Sequence, residues 1–373
     1  MKICYCLAGT FNSGGMERVI TNKANYLARK GYQVVIITTE QKGRPSFFSL
    51  HHAIRAIDLD INYSEDIDKN IFLKAVCFLW KRRKHLRALR KRLNAESPDI
   101  TISTFGTEVT FLHKIQDGSK KIVEIHFSKY FRLQYDRKGL WGWVDRLRSW
   151  QDEKLVSHYD KFVVLTHEDK AYWRNCANVT VIPNFITTFP LVQSNVENKI
   201  CLAVGRLSYQ KGFDSLIKIW NIVHKGFPDW QLYIYGSGEL HGYLDSLIGE
   251  LRLNDVVKIF SPIKNIGEVY ISSSLLLMSS HYEGLPMVLL EAFSYGLPVV
   301  SFACKCGPRD LIDDGTNGVL VAEGDIESFA DRVSTLLEND SLRKQMGQAA
   351  YQSSLNYTED KIMSQWIHLF ENL

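Results

Sequence analysis

The chain has 373 residues, of which 45% are hydrophobic and 23% are charged, and its net charge is +4. This length is too great for one ordinary core and suits two α/β domains of comparable size. No stretch approaches the roughly 18 apolar residues of a membrane-spanning helix. The N-terminal residues lead straight into a glycine-rich turn, so we expect a first buried strand there and not a signal peptide. Seven cysteines without paired CxxC motifs predict reduced thiols in a cytoplasmic protein.

The charge is distributed unevenly along the chain. Residues 1–190 hold 31 Lys and Arg against 19 Asp and Glu, whereas the remainder holds 14 against 22. A basic first half joined to an acidic second half suggests that only the first half faces a polyanion.

The first half alternates apolar, strand-like runs with amphipathic helical stretches, which predicts parallel strands in βαβ units. Strands are expected at 2–8, 33–39, 100–103, 121–125 and 161–165, with a short run at 181–183. Residues 184–198 are polar, contain proline and lack periodicity, so they are the predicted linker.

The same pattern then restarts. Strands are expected at 200–204, 231–235, 256–260, 275–278, 298–301 and 319–321, and helices at 327–338, 341–355 and 357–373. The sequence therefore predicts an α/β protein with two Rossmann-like parallel-sheet domains, residues 1–190 and 191–355. We expect these domains to face a central cleft, and the C-terminal helix, 356–373, to pack back on the first domain.

Glycine-rich turns follow the first predicted strand of each domain. In the first domain, Gly14 and Gly15 precede a helix, whose free N–H groups and partial positive charge suit an anion. The spacing is not GxGxxG, so a nicotinamide site is disfavoured. In the second domain, Arg206 and Lys211 stand five residues apart before a helix, a pattern that suits a diphosphate. A tight turn and a solvated charged loop are the alternatives.

Two glutamates flank a predicted helix start in the second domain. Glu283 and Gly284 precede Pro286, at which the helix should begin, and Glu291 lies further along it. Carboxylates at these places can accept hydrogen bonds from sugar hydroxyls, and the first N–H groups of the helix can bind an anion. Compensation of the helix dipole and a surface ion pair are the alternatives.

Together these motifs resemble the retaining glycosyltransferases of family 4. The resemblance rests on the two glutamates separated by seven residues and covers essentially the whole chain, with the motifs in the expected order. The other matching segments are GGMER at 14–18, VIPNF at 181–185, AVGRLSYQKGFDSLI at 203–217 and DDGTNGVLV at 313–321. The implied fold is GT-B.

The resemblance also implies residue roles. The expected catalytic residues are His126, Arg206, Lys211 and Glu283. The expected donor-binding residues are Gly14, Gly15, Arg206, Lys211, Ile263, Glu283, Gly284, Leu285, Met287, Val288 and Glu291. His126, at the end of a predicted strand, would lie beside the reacting sugar, although a lone histidine there is more often structural.

The implied reaction is front-face substitution with retention at the anomeric carbon, in which Arg206 and Lys211 stabilise the leaving diphosphate. Glycosidase chemistry does not fit, because Glu283 and Glu291 share one helix end. Asp58 and Asp60 resemble a metal-binding DxD motif but lie at an unsuitable place. We expect no cofactor and no metal, with a UDP-sugar as co-substrate.

Two departures from the family pattern affect the substrate assignment. Many relatives have a Gly-Gly-x-Pro-Glu stretch where this chain has Cys304-Lys-Cys306-Gly307-Pro308-Arg309-Asp310, a form that resembles a subset transferring galactose-type or N-acetylhexosamine sugars. His126 is followed by Phe127 instead of the commoner acidic residue, which leaves the acceptor geometry open.

A basic segment, 81–92, carries eight cations and no acid, and aromatic residues follow it in the first half. The apolar stripe is Val76, Leu79, Leu86, Leu89 and Leu93, and the aromatic segment includes Tyr130, Phe131, Trp141, Trp143 and Trp150. A basic amphipathic helix with interfacial aromatics predicts docking on an anionic membrane surface. Packing of the stripe on the sheet is the alternative, and nucleic acid is not an expected partner.

We therefore predict a retaining enzyme that moves a hexose or N-acetylhexosamine from a UDP-sugar to a lipid-linked or surface-polysaccharide acceptor. Its expected place is the cytoplasm, peripherally on the inner face of the cell membrane. A non-catalytic sugar-nucleotide-binding protein of the same fold and a transferase that makes a soluble glycoside are the alternatives.

Overall fold

The computed structural model describes residues 1–66, 68–129, 131, 140–187, 189–263 and 265–373. The chain forms two compact units. The first comprises Met1–Leu165, Lys170–Ile182 and Ile362–Leu373, and the second comprises Thr166–Asp169 and Pro183–Lys361. The second unit thus begins at 183 instead of the predicted 191 and also takes four residues from the first half.

The first unit is built on a parallel sheet. Its strands are β1 (Lys2–Leu7), β2 (Gln33–Thr38), β3 (Arg55–Asp58), β4 (Ile100–Ser103), β5 (Lys120–Glu124), β6 (Lys161–Val164) and β7 (Val179–Val181). The order over the described residues is β3-β2-β1-β4-β5-β6-β7. Sequence analysis missed β3, because this short edge strand is half-exposed and lacks an apolar run.

Helices cover the faces of this sheet. They are α1 (Gly15–Arg29), α2 (Ile71–Glu96), α3 (Leu140–Val156), α4 (His167–Tyr172), which begins in the second unit, and the last helix of the chain, Glu359–Glu371. Lys23 on α1 lies 3.6 Å from the ring centroid of Trp366 on the last helix. The C-terminal helix therefore contacts the first unit directly.

The second unit repeats the design. Its strands are β8 (Ile200–Val204), β9 (Gln231–Tyr235), β10 (Val257–Phe260), β11 (Leu275–Met278), β12 (Val299–Phe302) and β13 (Val319–Val321). They form a parallel sheet whose order, over the described residues, is β10-β9-β8-β11-β12-β13. The predicted fold class, two parallel-sheet Rossmann-like domains, is confirmed.

The helices of the second unit lie between and after these strands along the chain. They are α5 (Phe213–Val223), α6 (His241–Glu250), α7 (Gly267–Ile271), α8 (Met287–Ser294), α9 (Pro308–Leu311), α10 (Ile326–Glu338) and α11 (Asp340–Ser354), so the last helix of the chain is α12. Trp220 of α5 is fully buried in this core.

The basic helix α2 divides the predicted apolar stripe in two. Leu89 and Leu93 are fully buried in the core of the first unit, whereas Val76 and Leu79 are exposed. The packing alternative is therefore right for the C-terminal half of the stripe, and docking of the exposed N-terminal half on a membrane stays a prediction. Among the described residues, no helix is long and apolar enough to cross a membrane.

The predicted linker is bound by the second unit. Phe185, Ile186 and Val196 are buried, and the N–H of Ser194 donates to the carbonyl of Tyr295 at 2.9 Å. These apolar residues, dispersed among polar ones, fix the segment on the surface of the second unit.

Candidate functional site

In the second unit, the predicted site residues come from the two strands at which the strand order reverses. Arg206 and Lys211 follow β8, and Glu283 follows its neighbour β11. Ligands of doubly wound sheets bind beyond the carboxyl ends of strands at this switch point. The topology therefore brings the two cations and the carboxylate to one edge of one sheet.

The loops after β8 and β11 are tied together by their backbones. The N–H of His281 donates to the carbonyl of Gln210 at 2.9 Å, and the Ser279 hydroxyl donates to the carbonyl of Lys211 at 3.0 Å. Gly212 has φ +59°, and a Cβ there would lie 2.3 Å from the carbonyl oxygen of Ser279. Glycine is therefore required at this position for the two loops to approach.

Lys211 and Glu283 form an ion pair within this edge. The Lys211 Nζ lies 2.6 Å from the Glu283 Oε1, and their side chains are 17% and 7% exposed. Arg206, by contrast, is exposed, and its guanidinium makes no hydrogen bond or ion pair to any described residue. The edge thus presents one free guanidinium beside a cation that already has a counter-charge.

The helix expected after Glu283 begins one residue later than predicted. Its first residue is Met287, and Pro286 is the N-cap in an extended conformation. The N–H groups of Met287 and Val288 belong to the first turn, where an α-helix provides no acceptors. Leu285 and Pro286 are buried and Gly284 is partly exposed, so Gly284 is the accessible residue between Glu283 and the helix.

Glu291 is held by an aromatic residue from α7. The Tyr270 hydroxyl donates to the Glu291 Oε2 at 3.0 Å, and the Tyr270 ring stacks on Tyr295 with centroids 5.1 Å apart. Since Tyr270 is fully buried, it fixes the position of the carboxylate. Ile263, on the loop after β10, is 46% exposed and free to contact a ligand.

Two glycines that sequence analysis did not select also shape this edge. A Cβ at Gly236 would lie 1.9 Å from the carbonyl oxygen of Gly205, and one at Gly238 would lie 2.4 Å from that of Leu207. Both follow β9 directly, and the loop after β8 packs on them. A Gly-Ser-Gly sequence at the end of a predicted strand was the signal available for them.

The departure at Asp310 has a structural role. Its carboxylate accepts the N–H groups of His167 at 2.5 Å and Glu168 at 3.2 Å. The Glu168 carboxylate in turn accepts the N–H of Cys306 at 3.0 Å and pairs with Arg309. Asp310 therefore holds the four-residue segment 166–169 in the second unit.

In the first unit, Gly14 and Gly15 follow β1 as expected. Gly14 caps α1, and the side chain of Glu17 folds so closely over it that a Cβ would lie 2.2 Å from Oε2. A Cβ at Gly15 would meet nothing within 4 Å. The first turn of α1 therefore has open space at Gly15.

His126, the other predicted residue of the first unit, follows β5 and has a buried side chain, 7% exposed. Neither ring nitrogen makes a hydrogen bond to a described residue. The Nε2 atom lies 3.7 Å from Oε1 of Glu124, a buried residue that is paired with Lys23 on α1. The histidine thus lies beside a buried ion pair that sequence analysis did not identify.

The structure contains no group of three or more His, Cys, Asp and Glu suited to a metal among its described residues. At the DxD-like pair, Asp58 accepts hydrogen bonds from the Thr38 hydroxyl and the Lys42 N–H, both at 3.0 Å. Asp60 accepts a hydrogen bond from the side chain of Asn62. Independence from metal remains a prediction.

Comparison with known families gives matches over both halves of the chain. Residues 13–188 match the family described as Glycosyltransferase Family 4, and residues 187–353 match Glycosyl transferases group 1. An amylovoran biosynthesis glycosyltransferase of Erwinia amylovora is 40% identical, with 98% of each chain covered.

More distant relatives match the whole length. A Campylobacter jejuni α-1,4-N-acetyl-D-galactosaminyltransferase, named for an acceptor linked to undecaprenol diphosphate, is 25% identical over 99% of this chain and 98% of its own. Among solved structures, a Staphylococcus aureus TarM mutant in complex with fondaparinux, α-GlcNAc-glycerol and UDP has a TM-score of 0.78 at 16% identity, covering 99% of this chain and 100% of TarM. This likeness shows a shared GT-B fold.

Proposed function

Because the chain belongs to glycosyltransferase family 4, we propose that it transfers a hexose or N-acetylhexosamine from a UDP-sugar to a lipid-linked or surface-polysaccharide acceptor, with retention at the anomeric carbon. The observation that carries the donor assignment is the edge of the second sheet that holds Arg206, Lys211 and Glu283. The relatives named for amylovoran and for an undecaprenol-linked glycan support the acceptor class, and the UDP complex of TarM supports the nucleotide.

The donor diphosphate carries negative charge, which increases on the leaving nucleotide as the sugar departs. Arg206 can bind it bidentately, and Lys211 acts as a point charge that Glu283 holds in place. The first-turn N–H groups of Met287 and Val288 are further donors to phosphate or sugar oxygens. Glu291, fixed by Tyr270, accepts from the ribose hydroxyls.

The nucleotide assignment is tested by calorimetric titration of the purified protein with UDP, GDP and ADP. We expect UDP to bind preferentially and Arg206→Ala and Lys211→Ala to weaken that binding. Lys218→Ala, at an exposed lysine on α5, is the control for loss of one positive charge from the same unit. A preference for GDP would overturn the UDP assignment. Absence of nucleotide binding would contradict the donor site and would support neither a transferase with a lipid-linked or polysaccharide acceptor nor one that makes a soluble glycoside.

Retention is tested on the product. With a donor that supports turnover, proton NMR of the newly formed linkage should show the anomeric configuration of the donor at the earliest time measured. An inverted linkage would contradict the front-face mechanism while leaving the transferase assignment intact. Nucleotide binding without turnover on any lipid-linked acceptor would favour the non-catalytic alternative.

We also propose that the first unit docks on an anionic membrane through α2. The first part of this helix, residues 71–80, exposes Phe72, Leu73 and Trp80 to solvent, with exposed fractions of 82%, 52% and 63%. The following turns present an exposed stripe that begins at Trp80 and continues with cations. Its residues are Trp80, Arg83, Lys84, Arg87 and Lys91.

A second exposed stripe on α3 consists of Trp143, Leu147 and Trp150. Apolar and aromatic residues that adjoin cations fit the boundary between acyl chains and anionic headgroups. Of the other predicted interfacial residues, Tyr130 lies outside the described residues, and the side chain of Trp141 is not described. The proposed location is therefore the cytoplasmic face of a membrane.

Co-sedimentation with vesicles tests this docking. The protein should bind phosphatidylglycerol vesicles more tightly than phosphatidylcholine vesicles, and salt should weaken the binding. Phe72→Ser with Trp80→Ser should abolish most of it, whereas Tyr243→Ser, at an exposed aromatic on α6 of the second unit, should leave it unchanged. Equal binding of the double variant would contradict the role of α2.

A further inference from the structure

Several buried polar groups of the first unit surround one carboxylate. Glu124, the last residue of β5, is 1% exposed, and its Oε2 accepts a hydrogen bond from the ammonium of Lys23. Its other oxygen, Oε1, has no hydrogen-bond partner among the described residues. A buried carboxylate oxygen without a donor is costly, so this atom is available for a donor that lies close by.

One such group is the imidazole of His126, two residues further along the chain. The distance from Nε2 to Glu124 Oε1 is 3.7 Å, slightly beyond the range of a hydrogen bond, so the two atoms must approach by a few tenths of an ångström for one to form. The Nδ1 atom of the same ring is also buried without a partner. The ring therefore has one nitrogen beside a carboxylate and one nitrogen that no described group engages.

The carboxylate remains charged. Burial by itself would raise the pKa of Glu124, but the ammonium of Lys23 and the neighbouring His126 lower it to about 2. Tyr5 on β1 also lies close enough for its pKa to be raised, by burial and by the charge of Glu124. At neutral pH, then, the group that faces Nε2 only accepts hydrogen bonds.

We propose that Glu124 is a positioning residue that fixes His126 in the Nε2–H tautomer, so that Nδ1 presents its lone pair to a hydroxyl group of a bound sugar. Lys23 keeps the carboxylate charged and oriented. The inference rests on the proposed function for the sugar hydroxyl, whereas the tautomer is a property of the protein alone. The arrangement follows the logic of a carboxylate that orients a catalytic histidine through its second nitrogen.

The same ion pair connects the two predicted ligand-binding segments of the first unit. Lys23 lies on α1, whose first residue is Gly15, and Glu124 lies on the strand that leads to His126. Trp366 covers the ammonium from the last helix. A single buried contact therefore fixes the glycine turn and the histidine relative to each other within this unit.

The tautomer is measured by long-range proton–nitrogen NMR on full-length protein labelled with ¹⁵N-histidine, with the His126 signals assigned from the spectrum of His126→Gln. The expected pattern at neutral pH is that of a neutral ring protonated at Nε2. A ring protonated at Nδ1, or at both nitrogens, would overturn the proposal. This measurement needs no substrate, so its result is independent of whether the enzyme assignment is right.

Glu124→Gln gives a sharper test, because the amide has one acceptor and one donor. Lys23 will take the carbonyl oxygen, so the NH₂ group will face Nε2, which must then accept. We expect the tautomer to invert to Nδ1–H. An unchanged tautomer in the folded variant would contradict the inference. Should the variant fail to fold, the wild-type spectrum still decides.

Asp117→Asn is the matched control. Asp117 pairs with Lys121 at the opposite end of β5, and both side chains are buried, 0% and 6% exposed. We expect this variant to leave the His126 spectrum and the activity unchanged.

Turnover supplies the second measurement. In Glu124→Gln, the sugar hydroxyl would face the Nδ1–H of His126 instead of a lone pair. We expect kcat/KM to fall by about 5- to 150-fold, the equivalent of an unsatisfied buried polar group. Glu124→Asp should recover part of that loss. An inverted tautomer with unchanged kcat/KM would overturn the proposed contact between His126 Nδ1 and the sugar hydroxyl. Absence of turnover in the wild type would instead contradict the proposed function.

Discussion

Each unit contains a lysine–glutamate pair beside predicted site residues, and the two pairs differ in accessibility. Lys211 and Glu283 of the second unit are 17% and 7% exposed. The exposed Arg206 precedes Lys211 by five residues in the same loop region. Lys23 and Glu124 of the first unit are 3% and 1% exposed. A pair that a ligand can reach is free to exchange partners on binding, whereas a pair enclosed by the core is a fixed part of the fold.

The largest expected effect comes from breaking the enclosed pair. Lys23→Met leaves Glu124 as a buried charge without its cation, and the free energy of unfolding should fall by about 3–5 kcal/mol. Lys218→Met removes a lysine from the exposed pair with Asp214 and should cost about 0–1 kcal/mol. Urea unfolding followed by circular dichroism measures both. Similar losses in the two variants would show that enclosure of the Lys23 pair has no energetic consequence.

The enclosed pair should also give a signature at acid pH. Because the pKa of Glu124 is lowered from 4.5 to about 2 in the folded protein, its contribution to stability is complete above its ordinary pKa and is lost as the pH falls towards 2. Between about pH 6 and about pH 3, the free energy of unfolding should fall more steeply for wild type than for Glu124→Gln. Parallel curves would mean that this carboxyl has an unshifted pKa.

Breaking the accessible pair should affect catalysis more than folding. Lys211→Ala removes a cation from the proposed diphosphate site, and kcat/KM should fall by about 10²–10³-fold, as for loss of one preorganised donor to a developing charge. Its loss of stability should be smaller than that of Lys23→Met. An active but strongly destabilised Lys211→Ala protein would reverse the assignment of the two pairs.

The smallest effect is expected at Tyr270, which contacts Glu291 on α8, the helix that follows Glu283. Tyr270→Phe removes the hydrogen bond to Glu291 and should weaken UDP binding by about 2- to 10-fold, the equivalent of one hydrogen bond. Calorimetry with UDP measures this change. Tyr295→Phe retains the stacked ring and serves as control; equal weakening in both would assign the effect to the aromatic stack.

The sequence predicted most of the fold because parallel strands are short, buried apolar runs. Strands β4, β8, β9, β11 and β13 have the predicted bounds, and the family resemblance is confirmed by the comparisons. The exceptions have physical causes. Strand β3 is a half-exposed edge strand, and α2 is amphipathic over only part of its length, so a single periodic pattern could not describe it.

The candidate site was predictable where the chemistry is local in sequence. The predicted residues of the second unit lie close to glycines or to a helix start, so their pattern can be recognised in the linear sequence. They are Arg206, Lys211, Glu283 and Glu291. Lys23 and Glu124 are separated by 101 residues and lie on elements that look like ordinary core segments. A contact between them requires the sheet order, which sequence periodicity alone does not specify. The roles assigned to His126 and the donor-site residues remain predictions.

The segment 166–169 bears on how such enzymes can be recombined. It lies between stretches of the first unit, yet its N–H groups and carboxylate are satisfied by Asp310, Cys306 and Arg309 of the second. Consider a chimaera that joins the first half of one relative to the second half of another at residue 183. Its segment 166–169 would come from one parent and the residues that bind this segment from the other. The crossover that respects the fold exchanges these four residues together with the second half and returns to the first parent before α12.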